Sequence, residues 1–379
     1  MDPNRRPRAA DFWIDAQQMI PVHCNLCGFV PGRAGGAMVF LEGLLPQVAG
    51  FDDVDLHIYG STATESWIGN FLKDRFQFHQ IGGDSPGLLN RFLATRKLRS
   101  IPQAGDIVWS PLNQGVGSPS NVKEVVTIHD LIPLHYSMHR PEYPPSWKRR
   151  LAFSARWKNS MRVGRKATAI VTVSNANVDD LQEAIGAADP KVYGAPNGID
   201  TDKLKAAEEK PWQYSGKRSV LAVTSGSKPH KGIYTLEKVA DALPDVEFRI
   251  VGKFSAVKKD NIVQTGKLTL EELNDEFRNT SALFFPSRIE GFGLPVLEAA
   301  VFGTPVVATD IPVLREVGGS GSLYFEMDDT EAAATHLKTV IESSEKANTM
   351  SREGKQHARQ FTWENAAAVY RQVFQTVSN

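Results

Sequence analysis

Apolar positions recur along this chain with two periods. Short runs alternate every second residue or are wholly apolar, and longer runs repeat near every 3.6 residues, so strands and helices are expected in turn. In the first half DLHIYG (55–60), DIVWS (106–110), EVVTIHD (124–130) and AIVTVS (169–174) read as strands. The loop PGRAGGAM (31–38) leads into a helical pattern from Val39 to Leu45. Ser174 stands as the cap of a helix in NANVDDLQEAIG, with Asp179 and Asp180 in its first turn. The second half restarts with RSVLAVTSG (218–226), a helical run from Ile233 to Leu243, VEFRIVG (246–252) and a Thr269/Glu272 capping box. Leu283 to Phe285 and TPVVATD (304–310) are further strands. A short helix around Val313 to Val317 ends at Gly318 and Gly319. Helical patterns then cover Asp329 to Ser343, Glu345 to Gln360 and Trp363 to Val377. Strand followed by helix, repeated, predicts an α/β protein with parallel sheets covered on both faces. The polar stretch Thr201 to Gly216 reads as a linker, giving a Rossmann-like domain over 1–200 and a second over 217–362, with a last helix over 363–379.

Composition narrows the function classes. A chain of 379 residues suffices for two domains with separate cores, and its 43 basic and 43 acidic residues balance. Such a chain has no global charge to draw it onto nucleic acid, so any basic surface is local. No run of about 18 uncharged apolar residues occurs, and a cytoplasmic location is expected. Cys24 and Cys27 have CxxC spacing but lack the further ligands of a zinc site, and Pro31 and Gly32 follow them in place of a helix start. They read as incidental thiols. The stretch 148–166 is strongly basic, with Phe153, Trp157 and Met161 on one helical stripe. Its apolar residues read as core, with peripheral contact with anionic membrane as the alternative.

Candidate chemistry concentrates in 284–310. Gly291 and Gly293 allow close backbone approach, Pro295 suits the first turn of a helix, and Glu290 and Glu298 bracket that helix start. Free amides and a positive dipole end attract phosphate. Carboxylates beside them fit the hydroxyls of a sugar, so the pattern points to a sugar nucleotide. A pair of solvated glutamates on an ordinary strand-turn-helix is the plainer alternative. His129 and Asp130 follow a strand in the first half, and Lys228 and Lys231 follow one in the second, in SGSKPHKG.

The run EGFGLPVLE resembles the signature of the retaining glycosyltransferases of family GT4, which have the GT-B fold of two Rossmann-like domains facing across a cleft. The resemblance implies a C-terminal helix crossing back to the N-terminal domain. It also implies that Glu290, with the amides of Gly291, Phe292, Gly293 and Leu294, holds the donor sugar, and that Glu298 binds the ribose. By the same resemblance His129 reaches the transferred sugar, Asp130 braces its loop, and Gly35 and Gly36 lie under the donor phosphate. Lys228 and Lys231 meet the diphosphate, although Gly226 stands where many relatives have arginine. The expected reaction moves a hexose, with mannose from GDP-mannose as the best guess, to a hydroxyl of a glycan or lipid-linked glycan. No cofactor and no metal are expected, because no DxD lies in these loops. A sugar-nucleotide epimerase of the same fold and a non-catalytic glycan- or nucleotide-binding subunit are the alternatives.

Overall fold

The computed structural model describes residues 19–32, 35–82, 88–113, 115–132, 158, 164–186, 191–224, 229–252 and 259–379. Two parallel sheets organise them. The first comprises β1 (Ile20–Asn25), β2 (Val54–Gly60), β3 (Gln77–Gln80), β4 (Ile107–Ser110), β5 (Lys123–Ile128), β6 (Ala169–Thr172) and β7 (Val192–Gly194), in the order β3-β2-β1-β4-β5-β6-β7. The second comprises β8 (Ser219–Val223), β9 (Glu247–Val251), β10 (Ile262–Gly266), β11 (Ala282–Phe285), β12 (Val306–Thr309) and β13 (Ser322–Phe325), in the order β10-β9-β8-β11-β12-β13. Central strands β4, β11 and β12 are buried along their whole length, as strands covered on both faces must be.

The strand order reverses once in each sheet, between β1 and β4 and between β8 and β11. In open parallel sheets the crevice at such a point, beyond the carboxyl ends of the strands, is where ligands bind. In the second sheet the described residues beyond these ends include 229–232 and 286–293. In the first they include 26–32 and 111–113.

Described helices of the first domain include α1 (Gly35–Ala49), α2 (Thr62–Ile68), α3 (Leu88–Leu98) and α4 (Val178–Ile185). Then come α5 (Thr201–Glu209), α6 (Ile233–Ala242), α7 (Leu270–Asn279), α8 (Leu294–Phe302), α9 (Pro312–Gly318), α10 (Thr330–Glu342), α11 (Ser344–Ala358) and α12 (Trp363–Ser378). The capping box at Thr269 and Glu272 is formed. Ser174 is a correction. The cap position of α4 is Asn177, and the Ser174 hydroxyl is buried without a partner among the described residues. No side chain caps the helix; Glu316 of α9, in the other domain, accepts from the amides of Asn175 at 2.9 Å and Ala176 at 2.8 Å in the turn that precedes it. Gly35 and Gly36 open α1, so the helix starts four residues before the apolar pattern does. The stretch 201–216 contains α5, capped by Asp200.

The terminal helix α12 lies against α1 and the strands β1, β4, β6 and β7. Trp363, Tyr370 and Phe374 are buried there with Phe40 and Trp109. The Tyr370 hydroxyl is 2.9 Å from Thr127 Oγ1, and Arg371 and Gln375 donate to the buried Asp53 at 2.9 and 2.6 Å. One apolar cluster runs without a break from these residues through Phe292, Val296 and Leu297 of the second domain. Cys24 lies inside β1 and Cys27 follows it, both buried, and burial pushes the Cys24 thiol well above its ordinary range.

Candidate active site

The two motifs read from separate halves of the sequence meet. A Cβ on Gly291 would lie 1.8 Å from the backbone oxygen of His129, so only a glycine lets these loops pack as they do. Asn177 Nδ2 donates to Gly291 O at 2.9 Å from the first domain. On the same side, a Cβ at Gly36 would sit 4.0 Å from Leu294 Cδ1, so the start of α1 faces the start of α8. The loops at the carboxyl ends of the two sheets therefore converge on Gly291 to Leu294.

Gly293, at φ 102°, caps α8 in the left-handed region and turns the chain into the helix behind Pro295. The first amides of such a helix have no intrahelical acceptor. Glu290 lies just before this terminus and accepts from Lys231 Nζ at 2.6 Å, with the two side chains 10 and 16 % exposed. Lys231 ends the short 3-10 turn Pro229–Lys231 after β8, across the switch point from β11. The pair thus sits at the place that the topology selects. Arg288 fixes the two loops together: its amide donates to His230 O at 2.8 Å and its guanidinium pairs with Asp328.

Glu298 is buried one turn into α8 and pairs with Lys203 of α5. Lys203 is itself 8 % exposed. Nothing in the local sequence announces it, because its partner is 95 residues away.

His129 follows β5. Its amide donates to Asn113 Oδ1 at 2.5 Å and its Nε2 lies 2.6 Å from Pro111 O, a carbonyl that can only accept, so Nε2 carries a proton. Burial lowers its pKa, outweighing the opposing pull of the Pro111 carbonyl. Phe40 stands edge-on to the ring, 4.6 Å between centroids. Asp130 Oδ1 accepts from Ile132 N at 3.0 Å, an Asx turn within its own loop. Lys228, Gly226 and most of 148–166 lie outside the described residues.

The structure thus brings together His129, Asp130, Gly36, Lys231, Glu290, Gly291, Phe292, Gly293 and Leu294, with Gly35 at the exposed start of α1 and Glu298 deeper on the same helix. Sequence reasoning did not find Lys203, Asn177 or Glu316. All three act over long separations, and Asn177 alone carried a local signal, as an asparagine at a helix start.

Two parallel Rossmann-like sheets with their switch points turned to one another, and a helix N-terminus between them, define a protein of the GT-B class. Solved structures of similar fold include sucrose-phosphate synthase from Thermosynechococcus elongatus, with TM-score 0.69, 15 % identity and 94 % of this chain matched to all of that one. The Anabaena protein HepE in complex with UDP matches with TM-score 0.64 and 14 % identity over 95 % of this chain and all of that one. Residues 75–203 match the family model Glycosyltransferase Family 4 and residues 205–357 match Glycosyl transferases group 1. The chain belongs to the GT4 glycosyltransferases. It is 26 % identical to O-antigen chain mannosyltransferase RfbU of Salmonella typhimurium over 57 % of its length and 60 % of that protein. It is 27 % identical to the MMP alpha-(1->4)-mannosyltransferase of Mycolicibacterium hassiacum over 55 % of its length and 54 % of that protein. The matched stretches thus span little more than half of these relatives.

Proposed function

We propose that the protein transfers a hexose, with retention of configuration, from a nucleotide sugar to a hydroxyl of a glycan or lipid-linked glycan on the cytoplasmic side of a membrane. The Lys231–Glu290 pair at the start of α8 carries the reading. An ammonium has three donors, and one on Glu290 leaves two for diphosphate oxygens. Glu290 keeps acceptor capacity for a sugar hydroxyl, and the α8 amides meet the remaining phosphate charge. Glu298, oriented by Lys203, accepts from the ribose hydroxyls in this scheme.

The chemistry is positioning and electrostatics. As the glycosidic bond breaks, negative charge grows on the diphosphate, where Lys231 and the helix amides stabilise it. The departing phosphate oxygen takes the acceptor proton as the new bond forms on the same face. A neutral His129 offers its carbonyl and ring edge to the transferred sugar and carries no charge that would compete for the phosphate. Charge neutralisation by Lys231 takes the place of a metal in this proposal, so transfer persists in chelator. A strict requirement for added Mn²⁺ overturns that part.

Mannose from GDP-mannose is the proposed donor, supported by the resemblance to the two mannosyltransferases. A thermal-shift series with UDP, GDP and their sugars tests it, because a ligand bound only to the folded state raises its stability. GDP-mannose is expected to give the largest shift. Product analysis then separates transfer from an epimerase: a glycosylated acceptor supports transfer, and free sugar with no dependence on acceptor overturns it.

A further inference from the structure

Helix α3 (Leu88–Leu98) presents a surface that the site just described does not use. Its inward positions Ala94 and Leu98 are buried with Tyr59, Val108 and Val116. The outward positions Phe92 and Leu93 are 62 and 52 % exposed, the two most exposed large apolar side chains among the described residues. Arg96 and Lys97, each four positions on, share that outward face and are exposed as well. Among the described residues neither makes an ion pair. Residues 85–105 contain Arg91, Arg96, Lys97 and Arg99 and no Asp or Glu.

We infer that α3 docks the protein on an anionic bilayer surface, with Phe92 and Leu93 entering the boundary between headgroups and acyl chains and Arg96 and Lys97 meeting lipid phosphates. Cations interleaved with apolar residues on one helical face suit an interface that is apolar on one side and negative at its rim. A second copy of this chain fits poorly, since a two-fold contact through α3 would set like charges against each other. An apolar protein groove fits poorly too, because Arg96 and Lys97 would have to be buried with the anchors.

The end of the helix is tied to the amino edge of the first sheet. Arg99, just past its end, donates from Nε to Val116 O at 2.5 Å. The amides of Val116 and Gly117 donate in turn to Glu124 at the start of β5, the opposite end of that strand from His129. A bilayer under α3 would keep the protein beside the membrane in which a lipid-linked acceptor resides. That last step rests on the proposed transfer, whereas docking itself does not.

The test is flotation of the full chain with vesicles of phosphatidylcholine alone and with phosphatidylglycerol added. Flotation is expected with the anionic vesicles and to weaken with salt. Each of Arg96→Ser and Lys97→Ser should lower partitioning roughly fivefold. The Phe92→Ser/Leu93→Ser variant should abolish flotation while melting as the parent does and still acting on a water-soluble acceptor. Absence of flotation in the parent overturns the inference, whether or not transfer is found. So does flotation unchanged in these variants but lost on neutralising Lys158, Arg162 and Arg165, which would put the contact at 148–166. A stable complex with an acidic protein through α3, without vesicle binding, overturns it as well.

Discussion

The two walls of the junction are built from different materials. The second domain contributes formal charge, with Glu290 on Lys231 and Glu298 on Lys203 around the terminus of one helix. The first contributes backbone and neutral groups: the His129 carbonyl, the Asn113 amide, the Phe40 ring and the Asn177 donor to Gly291. A charged wall is suited to a diphosphate and a neutral one to hydroxyls. The two charged pairs also differ. Lys231 and Glu290 are both on loops, where a ligand can share them. Glu298 and Lys203 are on helices and buried, so their pairing joins α5 to α8 as much as it prepares a site.

Breaking the buried pair should have the largest effect. Lys203→Met leaves Glu298 as an uncompensated buried charge and is expected to cost about 3–5 kcal/mol in urea unfolding. Lys203→Met/Glu298→Gln should regain most of that, and equal stability of the two would show that the pair is not what holds the helices. On the loop pair, Glu290→Ala or Lys231→Ala should lower transfer by roughly 10²–10³-fold with the melting temperature little changed. Normal turnover in either purified variant would remove the charged wall from the mechanism.

Gly291→Ala tests whether the walls must touch. The added methyl would meet the His129 carbonyl, and the loops must part at a cost of about 1–3 kcal/mol. Crystallised variants with unmoved loops would contradict the close approach.

Acid should tell the domains apart with the smallest effect. Burial holds His23, His79 and His129 of the first domain below their ordinary pKa, for His23 against the opposing pull of Asp106. The unfolded chain binds protons at these rings near pH 6.5 while the folded form does not. Stability is therefore intact above about 6.5 and declines as pH falls below it. Hydrogen exchange is expected to show amides of β1, β3 and β5 losing protection before those of β11 and β12. His79→Gln should flatten the decline, and a melting curve as steep as the parent's would exclude that ring as a source.

Much of the fold was legible because its central strands are apolar and its helices carry marked ends. VVAT in β12 and the Thr269 cap of α7 are of this kind. Outer strands were harder. QFHQ in β3, VYG in β7 and IVQTG in β10 are short or polar, since an outer strand is shielded less and tolerates such residues. The start of α1 was missed because glycines favour loops as a local rule, whereas Gly35 and Gly36 begin a helix whose stability comes from Phe40, Leu41, Leu44 and Leu45 packing behind them. Ser174 misled for a related reason: a local cap was available by composition, but the chain makes a further turn, tied by Glu316 of the other domain, before the helix begins at Val178.

By itself the sequence determined the alternation of strand and helix, the glycine-proline turn before α8 and the acids around it. These depend on neighbours a few residues apart, whose periodicity and backbone preferences are written locally. Tertiary structure decided which lysine each glutamate takes, which nitrogen of His129 carries its proton, and that Gly291 rests on the carbonyl of a residue from the other domain. Those are contacts between distant segments, fixed by how two sheets pack rather than by any stretch of chain.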